Sequence, residues 1–313
     1  MPMKRTVTRM TTVTATQNQL VKSLTTPPRL RLTSKNYYSR VTDQVYMSAT
    51  WFKKFEECEA SALYELGEPP EELRSANAPK TEGVTPAMLV GNHIHSYFES
   101  GKSHQEFVEE HTPVRGDSKD GPTIYTQKGK LLSKYSYVDL MVKRMERFDL
   151  FNYFYNAPEC QKEAIISGQL FGVNWKGKID SLNVEKGYFC DLKTTAEIDR
   201  DFYNPAIRDR ELWFDHWNYG LQMAAYKKLL QNQYHKPFHV FIFAVDKKTP
   251  EPAIESFEVD YGRIEKGLKE IEEYQPLLMD VIAGKTKPIR CGKCNYCRAT
   301  YQPTGFKSLD IGN

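Results

Sequence analysis

Apolar residues recur at three- and four-residue spacing in five stretches of the chain, and this periodicity predicts amphipathic helices. In the first stretch, Phe52, Phe55, Cys58 and Ala62 carry the pattern, and in the second Pro86 is placed in the first turn. The stretch 101–125 is polar and irregular, which predicts a loop or flap. The predicted helices span residues 48–66, 86–98, 131–148, 214–231 and 261–283.

Between the third and fourth predicted helices the apolar pattern changes to alternation, which is typical of strands. The segments KEAIISGQLFGV, NWKGKIDSLNV and GYFCDLKTT follow one another closely and predict a three-stranded meander. The later run FHVFIFAVD has the length and apolar character of a buried strand. This order predicts an α/β (α+β) fold with a central mixed β-sheet flanked by helices. The sequence contains no internal repeat and no obvious interdomain linker, so residues 36–313 are predicted to form a single domain.

Charge divides the chain into two unequal parts. Eight of the 43 basic residues precede Asp43, the first acid, which leaves 35 basic against 40 acidic residues in the remainder. Residues 1–35 are therefore predicted to form a basic, disordered leader. A nucleic-acid-binding arm and an organelle transit peptide are alternatives. No apolar run approaches membrane-span length, no secretory signal pattern follows Met1, and six cysteines do not resemble a secreted framework. We expect a reducing, cytoplasmic compartment.

Two strands of the predicted meander carry charged residues at positions that should be buried. Asp191 and Lys193 share a strand face, Leu192 points to the other, and a suitable register adds Asp180 and Glu163. Neighbouring buried carboxylates raise each other's pKa, so the pattern favours a divalent cation between them. Carboxylate oxygens and the backbone carbonyl of Leu192 suit Mg²⁺ or Mn²⁺. The alternative is a structural Asp191–Lys193 ion pair at a strand end.

Two predicted helices carry further candidates for this site. In GNHIHSYFE, His95 could supply a nitrogen ligand, although a helical histidine is often an ordinary surface or core residue. In NYGLQMAAY, Gln222 and Tyr226 lie four residues apart on one helix face, where they could contact a nucleic-acid backbone. The alternative for this pair is the polar edge of an amphipathic helix.

Taken in order, G-x3-H, D, D-x-K and Q-x3-Y resemble the RecB-type branch of the PD-(D/E)xK nuclease superfamily. The segment NYYSRVTDQVYMSATWFKKFEECEASALYEL and the later RCGKCNYC resemble phage exonucleases akin to exonuclease VIII (RecE). The resemblance implies metal ligation by His95, Asp180 and Asp191, with Lys193 positioning the attacking water. Further residues that the resemblance implies are Glu163 as an extra acid, Gln222 and Tyr226 as DNA-backbone contacts, and Ser48 and Lys53 near the DNA end.

The resemblance also implies a function. Such enzymes are Mg²⁺-dependent exonucleases that degrade one strand of linear double-stranded DNA from its 5′ end and leave a 3′ overhang. A RecT-like single-strand annealing protein then uses the overhang in phage recombination. We therefore expect a phage- or prophage-encoded protein that acts in the bacterial cytoplasm as a ring-like homo-oligomer. Two alternatives stay open: a structure-specific or single-strand nuclease of the iron–sulfur type, and a non-catalytic DNA-end-binding module.

Three cysteines near the end of the chain form C-x2-C-x2-C, namely Cys291, Cys294 and Cys297, and Cys58 lies far upstream. The resemblance implies a 4Fe–4S cluster held by one upstream and three downstream cysteines, although the last interval here is shorter than in those relatives. Four thiolates would also suit Zn²⁺, and three reduced thiols in a tight turn are the third possibility. The other cysteines, Cys160 and Cys190, are predicted to be ordinary packing residues.

Overall fold

Five strands form the central sheet of the computed structural model, which describes residues 15–67, 84–114, 122–205 and 207–306. The strand order is β1-β2-β3-β6-β7, and only the β3–β6 pair is parallel. The predicted mixed sheet is therefore confirmed. The sheet strands are β1 (Gln161–Leu170), β2 (Val173–Asn183), β3 (Tyr188–Thr195), β6 (His239–Asp246) and β7 (Ile254–Glu258), and a separate hairpin contains β4 (Asp201–Asn204) and β5 (Asp209–Leu212).

The meander follows from two tight turns. Phe171 and Gly172 both have positive φ, 47° and 79°, between the paired residues Leu170 and Val173. Positive φ at both central residues is typical of the two-residue hairpin turn whose twist suits antiparallel strands. The β2–β3 turn contains Gly187 at φ 69°. The chain then crosses over through helices and returns as β6, parallel to β3.

Helices cover both faces of the sheet, and the alternation along β3 divides the core accordingly. Phe189 packs in one apolar cluster with α1, α3, α4, α10 and α11, whereas Leu192 packs in the other with α5, α7 and α8. The helices are α1 (Ala15–Thr25), α2 (Arg40–Asp43), α3 (Ala49–Glu57), α4 (Glu59–Leu66), α5 (Pro86–Glu99), α6 (Gly101–His111), α7 (Tyr137–Glu146), α8 (Asp149–Phe154), α9 (Trp213–His216), α10 (Tyr219–Tyr234), α11 (Tyr261–Ile282) and α12 (Asn295–Ala299).

Three predicted helices are interrupted. The helix predicted over 48–66 breaks at Cys58, whose backbone is extended at φ −164° and ψ 100°. The helix predicted over 214–231 breaks at Asn218, whose left-handed backbone and side chain cap α10. The stretch 131–148 contains a 3₁₀ turn followed by α7, and α8 comes after it. The predictions over 86–98 and 261–283 are confirmed within one residue at each end, as α5 and α11.

Two stretches predicted to lack structure are helical. The flap predicted over 101–125 is wrong over α6, because Ser100 ends α5 with an extended backbone and its side chain caps the next helix. Residues 115–121 of that flap lie outside the described residues. Disorder predicted over 1–35 is wrong over α1, because Leu20 and Leu24 are buried in the core. Residues 1–14 lie outside the described part.

None of the described helices is both long and apolar enough to cross a membrane.

Candidate active site

The acidic residues of the meander meet where β2 and β3 stop pairing. The β2–β3 ladder ends with Ser181 opposite Cys190, so Asp180 and Asp191 are the next residues in that register. Beyond this point the Asp180 carboxylate takes over the pairing, because its Oδ2 accepts a hydrogen bond from the Leu192 amide at 2.7 Å. The two strands can therefore separate at their polar end without leaving that buried amide unpaired.

Glu163 reaches the same place from β1. Its neighbours Lys162 and Ala164 pair with Ser181 and Ile179, which puts Glu163 level with Asp180. Its backbone has φ 50°, a left-handed conformation that is unfavourable for a residue with a side chain. Such local strain persists when the surrounding structure imposes it, and it is concentrated at functional sites.

Helix α5 completes this acidic group with a histidine. His95 Nδ1 lies 3.5 Å from Asp180 Oδ2, and His95, Glu163 and Asp180 each offer a ligand atom within 4.8 Å of the others. One nitrogen and two carboxylate oxygens are a suitable donor set for Mg²⁺ or Mn²⁺. Burial supports the fit of a cation to these residues, because Asp180 is only 8% exposed. Burial and the negative charge of Asp191 raise the pKa of Asp180 to about 8. A bound cation would offset that unfavourable charge.

Asp191 lies beside this group and contacts the opposite helical layer. Its Oδ2 is 2.6 Å from Lys193 Nζ, and its Oδ1 accepts a hydrogen bond from Gln222 Nε2 at 3.3 Å. The Lys193 ammonium forms an ion pair with Oδ2, but its geometry is not that of a hydrogen bond. Oδ2 is buried and accepts no hydrogen bond from the described residues. An oxygen in this condition retains acceptor capacity for a cation or water. Asp191 is thus adjacent to the His95–Glu163–Asp180 set rather than part of it, and the ligand roles remain predictions.

Gln222 connects the residues on this side of the site. Its side-chain oxygen accepts a hydrogen bond from Lys193 Nζ at 3.3 Å, and its amide nitrogen also donates to Tyr226 Oη at 3.3 Å. Tyr226 is buried against Gly177, where no side chain would fit. The i, i+4 pair predicted from sequence is thereby placed at the D-x-K motif. Its predicted contact with a DNA backbone remains a prediction.

A second lysine approaches from α3. Lys53 Nζ donates a hydrogen bond to the Trp217 carbonyl at 3.1 Å and lies 5.3 Å from the Tyr219 ring centroid. Lys193 Nζ lies 4.5 Å from the centroid of the same ring. Burial, assisted by the positive charge of Lys193, lowers the pKa of Lys53 to about 8. Ser48 caps α3 by accepting a hydrogen bond from the Trp51 amide at 3.3 Å. Its predicted role near a DNA end remains a prediction.

Two site residues were absent from the sequence prediction. Tyr219 precedes Gln222 by three residues, so the helical spacing that selected Gln222 and Tyr226 could have selected it too. Lys178, two residues before Asp180 on β2, forms an ion pair with Glu163. No pattern in the sequence distinguishes this lysine from its neighbours. For Leu192 the contact that the structure provides is its amide, and the predicted role of its carbonyl remains a prediction.

The charges of the site depend on burial and on neighbours. Burial lowers the pKa of His95, which favours the neutral imidazole that binds metal. Burial alone would also lower the pKa of Lys193, but the adjacent Asp191 carboxylate outweighs it and raises that pKa above the usual value. Lys193 is therefore a charged hydrogen-bond donor at neutral pH. The pKa of Glu163 is raised by burial and by Asp180.

The four cysteines singled out in the sequence also come together. Cys58 at the α3–α4 break lies with Cys291, Cys294 and Cys297, and one sulfur from each is within 4.8 Å of the others. Cys190 is fully buried in the sheet, and Cys160 is half-buried and donates to the Phe154 carbonyl. Both agree with the prediction of ordinary packing residues.

A mixed sheet with D…D-x-K at the point where two strands separate, flanked by helices carrying His and Gln, defines a PD-(D/E)xK-type nuclease fold. Residues 48–300 match the family described as PDDEXK-like domain of unknown function (DUF3799), and the chain belongs to that family. Enzymes of this superfamily generally use divalent metals.

A solved structure agrees with this assignment. The crystal structure of a putative exonuclease from Eubacterium rectale is 28% identical, with a TM-score of 0.75, over 90% of this chain and 97% of the other. A second structure, of SSO0001, is 14% identical over 72% of this chain and 89% of its own, and its TM-score of 0.25 is too low to indicate a shared fold. No curated protein matches. Family and neighbour together support a nuclease.

Proposed function

We propose that the protein is a Mg²⁺-dependent deoxyribonuclease that degrades linear double-stranded DNA as a 5′-to-3′ exonuclease and leaves 3′ overhangs. The observation that carries the proposal is the Asp191–Lys193 pair placed directly beside the His95–Glu163–Asp180 donor set. The E. rectale protein, described as an exonuclease candidate, covers nearly the whole chain and supports exonuclease action.

The proposed reaction is hydrolysis of a phosphodiester by water. His95, Glu163 and Asp180 would hold a divalent cation, which would stabilise the negative charge that develops on the phosphate. Lys193 is charged and close to that position, so its ammonium can donate a hydrogen bond to the attacking water or to a phosphate oxygen. Gln222 keeps the ammonium in place, since it contacts both Lys193 and Asp191.

Residues around this centre suit a DNA strand. Lys53 brings a second positive charge, and Trp217 beside it is 52% exposed. A positive side chain neutralises backbone phosphate, and an exposed indole can stack on a base of an opened strand. We propose that the strand enters the site past Lys53 and Trp217.

The experiment is digestion of one linear duplex labelled at either 5′ or 3′ ends, next to a covalently closed circle and a single strand of the same sequence. We expect early release of the 5′ label as mononucleotide, late release of the 3′ label and survival of the circle. Digestion of the circle, or preference for the single strand, would replace the proposal by the structure-specific or single-strand alternative. Binding without any digestion in Mg²⁺ or Mn²⁺ would support a non-catalytic module.

The family resemblance further supports a ring-like homo-oligomer that encloses DNA and passes its product to a RecT-like annealing protein, in a phage-infected or lysogenic bacterial cytoplasm. We propose both associations. Light scattering of the protein with and without DNA tests the first, and we expect a closed oligomer. A monomer under both conditions would remove the oligomer and leave the nuclease proposal intact.

A further inference from the structure

The cluster of Cys58, Cys291, Cys294 and Cys297 lies apart from the acidic site and has no part in the proposed hydrolysis. Cys58 Sγ is 3.5 Å from Cys297 Sγ, and Cys291 Sγ is 4.0 Å from the same sulfur. Both separations are far longer than the ~2 Å of a disulfide bond. Four sulfurs therefore converge on one point without being paired covalently.

The spacing of the sulfurs distinguishes the ions that could bind there. With Zn–S bonds of about 2.3 Å, two ligands at tetrahedral corners lie about 3.8 Å apart. The observed separations of 3.5 Å and 4.0 Å bracket this value, and all four sulfurs fit within 4.8 Å. In a 4Fe–4S cluster each thiolate binds a different iron, so the four sulfurs surround a whole cluster and lie farther apart. We propose that these four cysteines bind a single Zn²⁺ ion in a tetrahedral tetrathiolate site.

Backbone amides around the C-terminal cysteines support the proposal. The amides of Lys293 and Cys294 donate to Cys291 Sγ at 3.4 and 3.3 Å, and the amide of Cys297 donates to Cys294 Sγ at 3.3 Å. Gly292 adopts the positive φ of 72° that this tight turn contains. Amide donors to sulfur stabilise the thiolate form, which is the form that binds metal.

The cluster joins two distant parts of the chain. Beside it, the Ala60 amide donates to the Ile289 carbonyl at 3.1 Å, and the Ile289 amide donates to Glu59 Oε2 at 2.8 Å. The Tyr64 and Tyr296 rings lie 5.0 Å apart on the same contact. All four ligands would come from the protein, as in a closed structural site rather than a catalytic one. The ion would fix the α3–α4 break, and with it the helix that carries Lys53 to the active site.

The test begins with metal analysis of the wild-type chain. The protein is produced in medium that contains both iron and zinc and is purified without oxygen, so that a labile cluster is not lost and replaced. We expect about one equivalent of zinc per chain, less than a tenth of an equivalent of iron, and a colourless protein. Stoichiometric iron with visible absorption would overturn the proposal in favour of a cluster. Less than a tenth of an equivalent of either metal would overturn any metal site.

Variants then locate the ion. Cys58→Ser and Cys294→Ser should each lose the zinc and lower the melting temperature to a similar extent, because removal of one ligand opens the site. Cys160→Ser is the matched control and should retain the zinc. If a variant fails to fold, Co²⁺ exchanged into the wild-type protein provides a second readout: thiolate-to-cobalt absorption is expected, and its absence would contradict the proposal. Retention of zinc by both cluster variants would also contradict it.

Discussion

One carboxylate oxygen of Asp180 makes two contacts. Its carboxylate replaces a strand acceptor for the Leu192 amide, and the same oxygen lies 3.5 Å from His95 Nδ1. Because the strands separate there, the carboxylates of neighbouring strands approach a common point instead of remaining in an ordinary ladder. Substitution of Asp180 is therefore expected to disturb both the strand end and the site, which makes it a poor test of function by itself.

Gly177 provides a clearer test at the scale of one residue. A Cβ there would lie 2.5 Å from Tyr226 Cε1, so Gly177→Ala should displace the ring that contacts Gln222. We expect a loss of about 1–3 kcal/mol in the free energy of unfolding from overpacking, measured by urea denaturation. Gly91→Ala on α5 is the matched control, because its Cβ would meet only Thr194 Oγ1 at 3.4 Å. Equal stability of both variants would contradict the close packing described.

The structure brings Glu163 together with His95 and Asp180 in the candidate donor set. We expect Glu163→Gln to keep the fold and to raise by about tenfold or more the Mn²⁺ concentration required for half-maximal nuclease activity, because a charged donor is lost. Exposed Glu258→Gln on β7 is the control and should leave the metal dependence unchanged. The measurement is a metal titration of activity together with calorimetric binding of Mn²⁺ alone. An unchanged titration for Glu163→Gln would remove it from the donor set.

At the scale of elements, the sequence predicts the sheet better than the helix ends. Alternation and apolar runs are local signals, and they identified β1, β2, β3 and β6 and the D-x-K strand. The breaks at Cys58, Ser100 and Asn218 depend on contacts distant in sequence or on single-residue backbone geometry, so periodicity extended helices across the first and last of them. The left-handed backbone of Glu163 likewise left no signal in the sequence.

Helix α1 is a further element that the sequence pattern did not predict, because it lies within the segment predicted to be disordered. Leu24 is 1% exposed, and Asn174 Nδ2 donates to the Ser23 and Thr26 carbonyls at 3.1 and 2.6 Å. We expect Leu24→Ala to lower the free energy of unfolding by about 2–4 kcal/mol because it leaves a cavity in the core. Exposed Lys22→Ala should change it by less than about 0.5 kcal/mol. Equal stabilities of the two variants would mean that the basic segment is not part of the folded unit.

In the molecule as a whole, the candidate site lies between two helical layers that contribute different side chains. Helix α5 brings the histidine to the acidic end of the sheet, whereas α10 and α3 bring the amide, the aromatic rings and the second lysine. The resemblance seen in the sequence predicted which helix or strand carries His95, Asp191 and Gln222, because it rests on the order of the motifs along the chain. It could not predict that Asp191 contacts Lys193 and Gln222 while Glu163 takes the place next to His95.

Asp191 and Lys193 are the two residues proposed to serve hydrolysis at a metal-dependent DNA site. The most direct measurement compares Lys193→Ala and Asp191→Ala with the wild-type chain, for hydrolysis of linear duplex in Mg²⁺ and for DNA binding in Ca²⁺. We predict a loss of hydrolysis on the order of 1,000-fold or more, equivalent to about 4 kcal/mol of transition-state stabilisation, with binding retained. Hydrolysis within a few-fold of wild type for either variant would show that this pair does not serve the reaction.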